Sequence, residues 1–200
     1  MIADGSIAGA PLAASLSVAA RAGVDLIQVR ARHLEGQALT ELARVAVAAA
    51  AGTPTRVVVN DRLDVAVAAG GAGVHLRGES FPAARVRAVT LPGFLIGRSV
   101  HSEEEAVQAE AEGGCDYFVF GSVFSSTSKP AGHRPAGLAA LRRVCGRVRT
   151  PVLAIGGITI STAGRVREAG AAGLAAIALF RDCADLRETV DALKRAFEKG

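Results

Sequence analysis

The sequence is poor in the residue types that mark disulfide-rich, metal-binding and nucleic-acid-binding proteins. Its three cysteines form no C-x-x-C pair, so we expect neither a disulfide framework nor a zinc finger, and the thiols are typical of a reduced, cytoplasmic protein. Tryptophan is absent and there is one tyrosine, so a core must be built from alanine, valine, leucine and isoleucine. No block of five basic residues occurs, and we expect no nucleic-acid partner.

Long apolar runs are also absent. No stretch reaches the ~18 residues of a transmembrane helix, and the first residues show no basic segment followed by an apolar one, so we expect neither membrane nor secretory targeting. Half of the 200 residues are nevertheless hydrophobic and 21% are charged, a balance that predicts one domain over 1–200 with a sizeable core. The net charge of +4 suits a phosphorylated small molecule or a merely solvated surface, and homo-oligomerisation stays open.

One unit repeats along the chain, a short apolar run followed by an alanine-rich amphipathic stretch. The runs are mostly β-branched or aromatic and do not alternate with polar residues, which is typical of strands buried on both faces. The amphipathic stretches predict helices, one of which opens on a capping box formed by Ser102 and Glu105, and several end at a glycine. The clear apolar runs are 26–29, 57–59, 73–76, 94–97, 117–120, 152–155 and 174–177.

This alternation of strands and helices predicts a parallel sheet, either an open doubly wound sheet or a closed barrel. An open sheet usually carries a phosphate-binding glycine fingerprint after its first strand, and none is present. The segment 1–3, followed by a turn-like Asp4-Gly5-Ser6, supplies the stub of an eighth strand. We therefore predict an α/β protein, a compact (β/α)8 TIM barrel with a truncated first strand.

The active site of such a barrel lies at the carboxyl ends of its strands, so the residues after each strand are the candidates. Gln28 and Arg30 share one face of the second strand, which either points into the barrel mouth or pairs with a neighbouring helix. Asn60 and Asp61 follow the third strand, where they either cap a helix or bind a ligand, and aspartate there can hold Mg²⁺. A lone histidine such as His75, after the fourth strand, is more often structural than catalytic.

The loop that follows the sixth strand, 121–137, is the longest in the chain. Loops of this length inside a compact domain are usually functional, although a flexible surface loop is the alternative. A series of serine and threonine hydroxyls followed by a lysine is suited to bind phosphate oxygens. After the fifth strand, Ser99 and His101 lack the third partner that a nucleophilic triad needs. The polar residues of the long loop are Ser122, Ser125, Ser126, Thr127, Ser128, Lys129, His133 and Arg134.

Gly156 and Gly157 end the seventh strand and leave backbone N–H groups bare. A phosphate can approach closely there, near a helix N-terminus. The loops after strands seven and eight are the usual phosphate site of these barrels, and Ala176 and Ile177 are placed to supply the other half. With the cationic and hydroxyl residues across the mouth, the sequence predicts two anion-binding ends, hence two phosphorylated substrates or a phosphate and a pyrophosphate.

In order and spacing, these motifs resemble the thiamine phosphate synthase family, which includes the related thiazole tautomerases. The resemblance runs from Leu26 to about Ile177. It implies a (β/α)8 barrel that joins a hydroxymethylpyrimidine pyrophosphate to a hydroxyethylthiazole phosphate and releases pyrophosphate. The motifs are Gln28-x-Arg30, Asn60-Asp61-Arg62, Gly73-Val74-His75-Leu76, Gly97-x-Ser99-Val100-His101-Ser102, Asp116-Tyr117-x-x-x-Gly121-x-x-Phe124, Ser128-Lys129 and Ala154-Ile155-Gly156-Gly157-Ile158.

The resemblance also implies roles for individual residues. Arg30, Lys129 and Ser99 become the candidate catalytic residues, because cations and Mg²⁺ stabilise the charge that builds on departing pyrophosphate. Mg²⁺ is the implied cofactor, with Asp61 as its ligand, and the Gly156–Gly157 turn binds the thiazole phosphate. The residues implied to hold the pyrimidine or its pyrophosphate are Gln28, Arg30, Asn60, Ser99, Ser126, Ser128 and Lys129.

Several positions depart from the family pattern. The synthase pattern after strand four, H-L-G-Q-x-D, ends in a second Mg²⁺ carboxylate where this chain has Ser80, a poorer Mg²⁺ ligand. The lysine two residues after Arg30 is Arg32, which keeps the charge but not the shape. The loop threonines are serines at 126 and 128. The tautomerase pattern places a histidine where Ser122 stands.

The synthase activity is the favoured interpretation. A tautomerase has no evident need for Lys129 and Asp61. The alternatives are a thiazole tautomerase acting on a thiazole carboxylate phosphate, and a phosphate-binding barrel of the same family that has lost catalysis.

Overall fold

A single sheet of parallel strands forms the centre of the molecule. The computed structural model describes residues 1–5, 9–126 and 132–200, and the structural statements below concern those ranges. Neighbouring strands follow sequence order, each hydrogen-bonded to the next. The strands are β1 (Ile2–Ala3), β2 (Leu26–Val29), β3 (Arg56–Asn60), β4 (Gly73–Leu76), β5 (Leu95–Val100), β6 (Tyr117–Gly121), β7 (Val152–Ile155) and β8 (Gly173–Ala175).

The first strand also reaches the last one. The Ile2 N–H donates to the Ala176 carbonyl at 3.0 Å, which joins β1 to the segment that follows β8. The (β/α)8 barrel is thereby confirmed, with a first strand only two residues long, and the open doubly wound sheet is excluded. The helices are α1 (Gly9–Arg21), α2 (Gly36–Ala50), α3 (Leu63–Ala68), α4 (Ala83–Ala88), α5 (Glu103–Glu112), α6 (Gly137–Arg147), α7 (Ile160–Glu168), α8 (Ala178–Arg181) and α9 (Leu186–Glu198).

The ends of the helices follow local sequence signals. Ser102 caps α5 by accepting a hydrogen bond from the Glu105 N–H at 3.1 Å, while the Glu105 carboxylate accepts from the His101 N–H at 2.8 Å and not from Ser102 itself. The predicted capping box is thus shifted by one residue on its carboxylate side. Gly170, with φ 93°, ends the helical turn after α7 in the left-handed conformation that glycine adopts without strain. Within the described ranges, no helix combines the length and apolar character that crossing a bilayer requires.

The core lies between the sheet and the helices, and small side chains build much of it. Ala19, Ala43 and Ala46 of α1 and α2 are wholly buried, so these helices approach the sheet and each other closely. Phe118 and Phe120 of β6 are the largest fully buried side chains. The three cysteines are free thiols, which confirms the expectation of unlinked cysteines.

Candidate active site

A cavity of about 1390 Å³ opens at the mouth formed by the carboxyl ends of the strands. Most of the residues predicted from the sequence to form the site line this one cavity. Asp61 lies beside the cavity, bonded to Arg77 of its lining. Ser128 and Lys129 lie outside the described residues, so their roles stay predictions. The predicted residues that line the cavity are Gln28, Arg30, Asn60, Ser99, Ser126, Gly156, Gly157, Ala176 and Ile177.

Strands β2 and β3 present an amide pair and a guanidinium to the cavity. The Gln28 side-chain amide donates to Asn60 Oδ1 at 3.1 Å, and Gln28 is buried. Arg30 lines the same cavity, so the face shared by these residues points inward and not toward a helix. Burial and the neighbouring Arg32 lower the pKa of Arg30, and Asp4 partly offsets them. A guanidinium stays protonated in any protein, so Arg30 brings a partly desolvated positive charge to the mouth.

His75 of β4 joins two neighbouring strands through its imidazole. Its Nε2 lies 2.9 Å from Ser99 Oγ on β5, and its Nδ1 lies 3.3 Å from the Tyr117 hydroxyl on β6. The two rings are stacked with centroids 5.7 Å apart. Burial lowers the pKa of His75 to about 4, so the imidazole is neutral at pH 7. The structure thus gives His75 a positioning contact to the candidate catalytic Ser99.

Asp61 has a backbone conformation that is rare for a residue other than glycine. Its φ is 60°, and its N–H donates to the His75 carbonyl at 2.8 Å. It caps no helix, because the residue at the start of α3 is Arg62, whose side chain makes no cap hydrogen bond. The Asp61 carboxylate instead accepts hydrogen bonds from Arg77 Nε, at 2.7 Å, and from the Ser80 hydroxyl.

These oxygens suit a magnesium ion that shares its coordination with a substrate. Mg²⁺ commonly keeps several waters and takes one or two carboxylates together with phosphate oxygens. Asp61 offers one carboxylate and Ser80 a hydroxyl beside it, so the donor set fits a cation that is completed by pyrophosphate. In the described part of the chain, no group of three or more histidine, cysteine, aspartate or glutamate side chains is arranged to hold a metal by itself.

The Gly156–Gly157 turn packs directly against the loop after β6. Both glycines have positive φ, 98° and 61°. A Cβ on Gly156 would come within 2.2 Å of the Ser122 Cβ, and one on Gly157 within 2.2 Å of the Ser125 carbonyl oxygen. The turn is therefore bare because the neighbouring loop leaves no room for side chains, and it leads into α7, where Thr159 is the N-cap. Backbone N–H groups near that helix start can meet an anion.

A comparison with known sequences agrees with this geometry. A sequence family described as thiamine monophosphate synthase matches residues 1–180. The chain belongs to this thiamine monophosphate synthase family. It is 42% identical over 160 residues to the thiamine-phosphate synthase of Methanoculleus marisnigri, covering 80% of this chain and 75% of that one. It is 38% identical over 194 residues to that of Anaeromyxobacter dehalogenans, covering 97% and 86%.

Two solved structures have a fold similar to that of this chain. The thiamine phosphate pyrophosphorylase from Pyrococcus furiosus superposes with a TM-score of 0.85 at 31% identity, covering 99% of this chain and 94% of that one. A 3-hexulose-6-phosphate synthase superposes with a TM-score of 0.71 at 20% identity, covering 98% and 97%. The second similarity shows the shared fold alone.

No role was predicted from the sequence for two residues that contact the candidate site. The Tyr117 hydroxyl contacts His75 Nδ1, on the side of the ring opposite the contact with Ser99. Arg77 donates a hydrogen bond to the Asp61 carboxylate. Tyr117 is the single tyrosine of the chain, and a lone polar aromatic residue in a buried strand is a signal that could have found it. Arg77 follows a strand end, as the predicted site residues do, but no pattern in one sequence shows which way its side chain turns.

The position at which the tautomerase pattern has a histidine also has an imidazole nearby. Ser122 Oγ lies 2.8 Å from His133 Nε2, so a histidine from further along the same loop reaches this position. Ser122 is buried and lines the cavity, whereas His133 is exposed.

Proposed function

We propose that this protein is a thiamine-phosphate synthase, a transferase that couples hydroxymethylpyrimidine pyrophosphate to hydroxyethylthiazole phosphate and releases pyrophosphate. The observation that carries the proposal is that two features suited to bind anions line one cavity. Arg30 extends from the end of β2, and the Gly156–Gly157 turn follows β7. β2 and β7 are three places apart in a ring of eight strands and so lie across the mouth from each other. Two phosphorylated substrates can thus face each other across it.

The proposed reaction needs charge stabilisation and no side-chain nucleophile. The bond between the pyrimidine methylene carbon and the pyrophosphate oxygen breaks, and its electron pair leaves with pyrophosphate. The thiazole nitrogen then attacks the cation-like methylene carbon and forms the new carbon–nitrogen bond. Arg30 would stabilise the departing negative charge, and Lys129 would act with it. The Gln28–Asn60 pair and Ser99 would orient the pyrimidine.

Mg²⁺ is the proposed cofactor, as the family resemblance implies. Asp61 would be its protein carboxylate, with the pyrophosphate oxygens as further ligands. When bound, the ion would neutralise negative charge on the pyrophosphate. Ser80 would contribute no more than a hydroxyl or a bridging water.

The sequence composition also supports proposals about the domain, the location and the substrate class of this enzyme. Residues 1–200 would act as one catalytic domain in the cytoplasm, on small phosphorylated molecules and not on nucleic acid or membranes.

A direct assay tests the proposal. The purified protein is incubated with both substrates and Mg²⁺, and thiamine phosphate and pyrophosphate are measured by chromatography. Equal amounts of the two products are expected. Absence of both, with a protein that is folded by circular dichroism, would contradict the synthase activity.

The contact between Ser122 and His133 favours one second candidate, thiazole tautomerase activity, because it brings an imidazole to the position where the tautomerase pattern has one. Incubation with the thiazole carboxylate tautomer alone, without Mg²⁺, tests it. Isomerisation that His133→Gln abolishes, with no thiamine phosphate formed in the first assay, would replace the leading proposal.

A further inference from the structure

The loop after β4 carries a cation at the edge of the cavity to which the proposed function assigns no role. Arg77 lines the cavity, and its side chain is 50% exposed. Its Nε donates to Asp61 Oδ2, and Ser80 of the same loop donates to Asp61 Oδ1. The carboxylate proposed to bind Mg²⁺ is therefore engaged on both oxygens by one loop.

Two residues of this loop make it more positive than the synthase pattern at the same positions. In the synthase pattern that this sequence resembles, H-L-G-Q-x-D, glycine and aspartate occupy the positions at which this chain has Arg77 and Ser80. At these two positions the chain carries one negative charge fewer and one positive charge more than the pattern, and Glu79 of the same loop also lines the cavity. A divalent cation on Asp61 would lie a few ångströms from the Arg77 guanidinium and be repelled by it. A single positive charge about 4 Å from a divalent one in water, partly screened by salt, weakens binding by roughly tenfold.

The same guanidinium is well placed for an anion. Guanidinium groups bind phosphate oxygens through two parallel N–H donors, which an ammonium group cannot do. Arg77 faces the cavity that Arg30 also lines. Because the Arg77 side chain is half exposed, it can leave Asp61 without uncovering any part of the core.

We propose that Arg77 is a pyrophosphate ligand that shares Asp61 with the divalent cation. In the free protein it pairs with Asp61; when Mg²⁺ and pyrophosphate enter together, the cation takes Asp61 and the guanidinium turns to the pyrophosphate oxygens. The inference rests on the proposed function for the identity of the anion. Its consequence is that cation and pyrophosphate bind as a pair, each weakly without the other.

The test measures binding with two probes that need no turnover. Mn²⁺ binding to the protein alone is followed by electron paramagnetic resonance, and binding of inorganic pyrophosphate with EDTA present is followed by calorimetry. The variants are Arg77→Gln, Arg77→Lys and Asp61→Asn. The matched control is Arg85→Gln, which removes the same charge from an exposed position on α4 that does not line the cavity. Circular dichroism checks that each variant is folded.

Arg77→Gln is expected to raise the affinity for Mn²⁺ roughly tenfold, because it removes the repelling charge. The same variant should weaken metal-free pyrophosphate binding roughly tenfold. Arg77→Lys should resemble the wild type toward Mn²⁺ but bind pyrophosphate less tightly, since it keeps the charge and loses the paired donors. Asp61→Asn should abolish the Mn²⁺ site, and Arg85→Gln should change neither affinity.

Unchanged Mn²⁺ and pyrophosphate affinities in Arg77→Gln would overturn the proposal and leave Arg77 as a surface ion pair. Weaker Mn²⁺ binding in Arg77→Gln would also overturn it, because Arg77 would then support the cation site. The synthase assay is read separately. Binding that shifts as expected in a protein that makes no thiamine phosphate would count against the proposed function and not against the shared carboxylate.

Discussion

Arg30 is the residue on which the proposed chemistry depends most directly within the described site. It is partly buried at the mouth, where a positive charge acts more strongly than in water. Arg30→Ala should lower kcat by roughly 10²-fold or more, as for the loss of one contact to a charge that develops in the transition state. Arg30→Lys should recover part of that loss. Steady-state kinetics with saturating Mg²⁺ measures both variants, and a change confined to KM would indicate binding without catalysis.

His75 links the site to the stability of the protein at low pH. Its pKa falls from 6.5 to about 4 on folding because of burial, so between these values the unfolded chain binds a proton that the folded protein does not. The contribution of His75 to the free energy of unfolding is therefore fully present above about pH 6.5. It is lost as the pH falls toward 4, which lowers the free energy of unfolding by about 3 kcal/mol.

Urea unfolding at pH 7 and pH 4.5 measures this effect. His75→Gln lacks the titrating group, so its free energy of unfolding should fall less over the same interval than that of the wild type. Identical losses in the two proteins would show that other groups cause the acid sensitivity.

At the scale of the elements, α5 offers a local test because a single side chain caps its start. Ser102→Ala removes the acceptor of the Glu105 N–H and should destabilise the protein by about 1 kcal/mol. Ser102→Asp, which keeps a cap acceptor, should stay close to the wild type. Chemical denaturation compares the three proteins, and an equal loss in both variants would mean that the hydroxyl itself, and not the cap, matters.

The elements that the sequence predicts are those with local signals. Continuous apolar runs predicted β2 to β8, and the glycine that follows each of several helices located their ends. The short helix α8, by contrast, has only four residues and no side-chain cap, so it carries no periodic pattern to detect. The contacts of Gln28 with Asn60 and of His75 with Ser99 join residues of different strands. Such pairs depend on register and on inward orientation, which one sequence does not encode locally.

For the whole molecule, closure of the barrel depends on very few residues. Ile2→Pro removes the N–H that donates to the Ala176 carbonyl and leaves that acceptor without its partner, at a cost of about 1–3 kcal/mol. Ile2→Ala removes the buried side chain but keeps the N–H, so it is the matched control. Thermal unfolding should show a lower Tm for Ile2→Pro than for Ile2→Ala. Equal values would mean that this hydrogen bond contributes nothing to closure.

The contact between β1 and the segment after β8 can form only after both segments have been translated. Ala176 is translated well after Ile2, and at ~5–20 residues per second the interval between the two lasts roughly ten seconds or more. Until then the sheet is an open ribbon whose first edge can pair with another nascent chain. Because β1 is only two residues long, that edge presents few free backbone groups. A short first strand therefore limits pairing with other nascent chains until the segment after β8 has been made.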